Sequence, residues 1–117
     1  MQLTEQTKTL QSLVKKAKLI YEERRESKEA ADFFGVVKPF ADEMDRVANK
    51  WEASALKWLE LNPKKYVHAA QIVQAADNAR RVGAHAHFFD TSKSKFIQSA
   101  DSALYVLESL EKIIIAD

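Results

Sequence analysis

The sequence predicts an all-α fold: four helices packed as an up-down-up-down antiparallel bundle, with a short extra helical turn before the second helix, in one domain over residues 1–117. Three observations carry this expectation. Four stretches place apolar residues at steps of three and four, which gathers them on one stripe of an α-helix. Only two glycines and two prolines occur in 117 residues, whereas β-folds use many of both at their turns. The segments between the stripes are short, and short links set successive helices side by side and antiparallel.

The first helix is expected from about Thr4 to Glu29. Its stripe is Leu3, Leu10, Val14, Ala17 and Tyr21, flanked by Leu13 and Ile20, with Leu19 on the far side. The same stripe then meets Arg24 and Lys28, so the last turn is expected to leave the core and send its long side chains to water. Lys18 with Glu22 and Arg25 with Glu29 stand four apart, a surface-pair spacing. Residues 30–39 break the pattern. Asp32 can cap a short helical turn, and Pro39 disfavours helical geometry at Lys38 while suiting a first helical position, so a turn followed by a kink is expected.

The second helix is expected over Pro39–Leu61, with Asn62 and Pro63 as its stop. Phe40, Met44, Val47, Trp51, Ala55, Trp58 and Leu61 form the clearest stripe in the chain. After a connector, the third helix begins at His68, where His68 and Gln71 imitate a capping box and Val67 and Ile72 a hydrophobic staple. Its core face is built of small residues: Ile72, Ala76, Ala79, Gly83 and Ala86, widened by Ala75, Val82 and Phe89. Such a face admits a close neighbour or bulky knobs, and Trp51 and Trp58 are the expected knobs. Asp90–Ser94 is rich in capping residues, and the fourth helix follows over Ser92–Ile115 on the stripe Phe96, Ala100, Ala103, Leu107, Leu110 and Ile114.

The run Asp32-Phe33-Phe34, then Lys38-Pro39, Trp51, Pro63-Lys64, Tyr66-Val67-His68, Gln71-Ile72, Asp77-Asn78, Phe96 and Leu104-Tyr105, resembles in order and spacing the YppE-like proteins of Gram-positive bacteria. The resemblance extends over nearly the whole chain. It implies a small cytosolic helical bundle of unassigned role and carries over no catalytic residue.

Composition bounds the function classes. Hydrophobic residues make up 46% and charged residues 30%, a globular balance with enough apolar mass for a core. A net charge of +1 lacks the basic excess that accompanies nucleic-acid binding, and the lysines of the first helix are interleaved with acids from Glu22 onward, so nucleic acid is not an expected partner. With no cysteine there is no disulfide, thiolate metal site or thiol nucleophile, and a cytoplasmic location is expected. Neither a signal-like segment at residues 1–5 nor a membrane-length apolar run is visible, so no membrane association is expected.

Specific chemistries fare no better. Ferritin-like carboxylate sites set a glutamate three residues before a histidine, but Lys65, Val82 and Ala84 hold those places before His68, His85 and His87. On a helix His85 and His87 diverge by about 200°, which puts His85 toward water and His87 near the boundary. No metal and no cofactor are expected. Asp42, Glu43 and Asp45 suit a helix N-terminus, with Asp42–Arg46 and Asp77–Arg81 as further surface pairs. Gly35 and Gly83 stand too far apart for a phosphate-cradling loop, and Gly83 is explained by helix packing.

No catalytic constellation remains, so the expected function is a non-enzymatic protein-interaction or regulatory module with a protein partner. The alternative is a small-molecule binder or enzyme using an aromatic pocket at an end of the bundle, and self-association is a third reading. Phe33, Phe34 and Tyr66 are the candidate binding residues at the two ends, though as core lids they would serve packing instead. Leu56 and Tyr105, with Leu19, point off their stripes and are the candidate exposed surface.

Overall fold

A computed structural model describes residues 2–63 and 67–116. Four α-helices account for most of them: α1 over Leu3–Ser27, α2 over Lys38–Leu61, α3 over Ala69–His85 and α4 over Lys93–Ala116. Each helix packs on the one before it and α1 closes the ring on α4, which leaves α1 opposite α3 and α2 opposite α4. The result is an elongated bundle, 46 × 25 × 20 Å.

The helix ends follow from local chemistry. Lys28 closes α1 in the left-handed region (φ 56°), its N–H donating to Arg24 O at 2.7 Å. His68 caps α3 within the expected capping box, its own N–H reaching Gln71 Oε1 at 2.8 Å. The segment before α2 departs from expectation. Phe33–Val37 forms one π-helical turn that runs directly into α2 without a kink at Lys38. Asp32 starts this turn by accepting from Gly35 N–H. A Cβ at Gly35 would stand 2.6 Å from the Asp32 carboxylate, so glycine lets the cap close.

The core is the set of stripes read from the sequence. Leu10, Val14, Ala17, Tyr21, Met44, Trp51, Ala55, Ile72, Ala76, Ala79, Leu107 and Leu110 are wholly buried. Trp51 donates its indole N–H to Thr7 Oγ1 of α1 at 3.0 Å, and Thr7 in turn donates to Leu3 O, so the buried ring leaves no polar atom unpaired. The small face of α3 meets α2 at Gly83, where a Cβ would stand 2.6 Å from Met44 Cβ and 2.7 Å from its Cγ. Met44 is therefore the knob that fills the space left by Gly83.

Several expectations are corrected here. Trp58 is half-buried against the core rather than sealed inside it, and Leu61, the last residue of α2, is 71% exposed because the stripe outruns its neighbours there. Leu56 is likewise half-buried against the core rather than exposed. α3 stops at His85, short of the expected Phe89, and successive turns follow, with Phe88 N–H donating to His85 O and Thr91 N–H to Phe88 O. The cross-sequence charge pairs also differ. Lys18 reaches across to Asp101 at 2.7 Å, Asp42 pairs with Lys38 at 2.8 Å, and Asp77 pairs with Arg80 rather than Arg81. Only the Lys18–Asp101 pair crosses between helices; the other two stay within one helix, at i, i+4 and i, i+3.

Candidate functional site

One end of the bundle gathers the C-termini of α1 and α3, the N-termini of α2 and α4, the π-helical turn and the 86–92 connector. Tyr21 organises it. Its ring stacks on Phe96 with centroids 4.1 Å apart and an interplanar angle of 14°, and its hydroxyl donates to Thr91 O. Arg25 donates to the Tyr21 hydroxyl at 3.3 Å and to Phe89 O at 3.2 Å. Arg24 donates to His87 Nδ1 at 3.3 Å and is half-buried, so this last turn of α1 does not simply leave the core for water. It ties α1 to the α3–α4 connector.

His87 is buried, at 7% exposure, rather than at the boundary. Phe40 meets it edge-on at 5.7 Å, and Lys16 lies over the outer face of Phe40. Burial, together with the nearby Arg24 and Lys16 cations, pushes the imidazole below its ordinary pKa. The neutral ring can accept from Arg24 through Nδ1, and the charged ring cannot.

Phe33 and Phe34 lie on the outer side of this end, edge-to-face with centroids 5.1 Å apart. They are 51% and 78% exposed, so they are not the core lids the sequence suggested. Within the π-helical turn only Val37 is buried, because the Asp32 cap fixes the turn with that residue inward. Val36 and, from the connector, Phe88 add further exposed apolar surface, and a shallow cleft of about 210 Å³ opens between Ala30, Ala31 and residues 87–90.

The remaining sequence candidates lie elsewhere. Tyr105 is 70% exposed on α4 and borders a cleft of about 130 Å³ with Val67, Gln71 and Ile113, far along the helix from its N-terminal end. Leu56 packs on the core from α2, and Tyr66 falls outside the described residues. Phe33 and Phe34 are thus brought together, while Tyr105 and Leu56 sit on other elements.

A third cleft, of about 260 Å³, was not anticipated from the sequence. It lies between the end of α3 and the start of α4, lined by Arg81, Val82, His85, Thr91, Ser92, Lys95, Phe96 and Ser99. The usable signal was periodicity: Arg81 and His85 are four apart, and Ser92, Lys95 and Ser99 follow steps of three and four. Among the described residues no three His, Asp or Glu side chains converge to hold a metal ion, and no helix is long and apolar enough to cross a membrane.

The architecture is a four-helix bundle, and known proteins share that fold over most of their lengths. The family model for a bacterial domain of unknown function, DUF1798, matches residues 7–114, and the chain belongs to that family. The uncharacterised protein YppE of Bacillus subtilis is 29% identical over 109 residues, covering 93% of this chain and 89% of that protein. The YppE crystal structure superposes with a TM-score of 0.92 over 97% of this chain and 93% of its own. A Listeria innocua protein of unknown function, 26% identical, gives 0.94 over 99% of this chain and 93% of its own.

Proposed function

We propose that this protein is a non-enzymatic interaction module that engages a protein partner through the aromatic end of the bundle. The observation that carries this reading is the paired exposure of Phe33 and Phe34 on a turn whose shape is fixed by the Asp32–Gly35 cap. Scattered apolar side chains on a surface are ordinary, but two adjoining phenylalanines with Val36 on the same turn form a concentrated apolar patch. The patch is held on a fixed support, since the turn that carries it runs directly into α2. Aromatic anchors on a prepared surface bind with little ordering cost.

Affinity capture from lysate of the parent cell tests it, with the F33S/F34S double variant beside wild type and Leu19→Ser as a control for exposed apolar area on another face. The expected result is a protein retained by wild type and Leu19→Ser and lost with F33S/F34S, while circular dichroism is unchanged for all three. Equal retention by all three, or none by wild type, would overturn the reading. Light scattering at two concentrations separates a foreign partner from a second copy of the chain.

A further inference from the structure

The geometry points to a second binding site, separate from the Phe33–Phe34 patch: the cleft between α3 and α4 takes a small organic phosphate, an apolar body carrying a phosphate monoester. Three features of the cleft select that chemistry. Its rim carries the basic side chains Arg81, His85 and Lys95, and no carboxylate among the described residues lines it. Arg81 is steadied by a neutral partner, Asn78 Oδ1 at 3.1 Å, which orients the guanidinium without cancelling its charge. Thr91, Ser92 and Ser99 add hydroxyls that can donate to phosphate oxygens, and the Ser92 hydroxyl is held only loosely, 3.5 Å from Lys95 N–H.

The interior of the cleft is apolar and rigid. Val82 and Phe96 lie beneath it at 1% and 3% exposure, and Phe96 is fixed by its stack on Tyr21, itself pinned to Thr91 O. An inorganic ion would leave that floor unused. A planar or aliphatic body resting on it, with the phosphate turned to the rim, uses both parts at once. A volume of about 260 Å³ is below the range of drug-sized pockets, so the fitting ligands are small.

Phenyl phosphate is the probe, followed by amide chemical shifts of the full chain, with inorganic phosphate and phenol as the two halves measured separately. Saturable shifts at Val82, His85, Ser92, Lys95 and Phe96 are expected with phenyl phosphate, and binding of either half is expected to be roughly tenfold weaker or worse. The R81Q/K95Q variant should lose binding by roughly tenfold, whereas K15Q/K18Q, which removes two lysines of α1, should leave it unchanged. Ser99→Trp provides a charge-preserving check, filling the half-exposed rim and abolishing binding. The proposal is overturned if shifts scatter over all basic surfaces, if inorganic phosphate binds as well as phenyl phosphate, or if R81Q/K95Q binds like wild type. The F33S/F34S variant should bind phenyl phosphate normally, and its failure to do so would deny the two sites their independence.

Discussion

α2 and α1 are held in the bundle by different means. α2 is held mainly by shape: Met44 sits where Gly83 of α3 has no side chain, Trp51 is wholly enclosed with its N–H satisfied by Thr7, and one polar tie, Arg80 of α3 on Asn49 at 2.7 Å and on Glu52 at 3.2 Å, adds to that fit. Along its seam with α4, α1 adds polar ties around an apolar centre, with Lys18 on Asp101, Gln11 on Glu111 at 2.9 Å and Lys8 on the same glutamate at 3.9 Å. Steric fit in a close-packed interior responds to single methyl groups and ignores salt, whereas half-exposed ion pairs contribute little and are screened. The two seams should therefore fail differently.

Trp51→Ala gives the sharpest expected contrast. It empties the largest buried side chain and should cost about 3–5 kcal/mol in urea unfolding, a loss independent of salt. A cost below about 1 kcal/mol would place this ring outside the packing that holds α2. Gly83→Ala comes next, at about 1–3 kcal/mol, because overpacking against Met44 outweighs the better helix propensity of alanine. Adding Met44→Ala should recover part of that loss relative to Met44→Ala alone, and strict additivity of the two changes would count against direct contact.

A pH effect of intermediate size is expected from His87. Its native pKa is depressed below the ordinary 6.5, so as the pH falls the unfolded chain takes up this proton first. Stability from this group is complete above about pH 6.5 and is lost as the pH drops through the lowered native value. His87→Gln should flatten that part of the stability profile between pH 7 and 5; an unaltered slope would mean the imidazole is not held neutral. The smallest effect belongs to Lys18→Met, within about 1 kcal/mol and vanishing at high salt. A larger, salt-independent loss would erase the distinction between the seams.

The stripes, the Asp32 and His68 caps and the importance of Gly83 were legible because each depends on neighbours within a few residues or on a 3.6-residue period. Partner identity was not. Met44 rather than Trp51 or Trp58 meets Gly83, and only the relative register of two helices decides that. The outward Phe33 and Phe34 also escaped, since an apolar pair beside a break reads as a lid until the π-helical turn sets its direction. Arg24 and Arg25 read as a solvated face, yet their acceptors are His87 and the Phe89 carbonyl, more than sixty positions away in the chain. The α3–α4 cleft was hidden for the same reason: each helix contributes half of it.

The bond from Gln11 to Glu111 spans 100 positions, and it joins α1 to α4, the two helices of the ring that lie furthest apart in the chain. Until α4 has been made, α1 lacks its neighbour on one side and its apolar stripe is covered only in part, by α2 and α3. Ring closure is a late event, with a large loop to gather and an aggregation-prone nascent chain before it. Truncation within α4 should thus uncover α1 and α3 together.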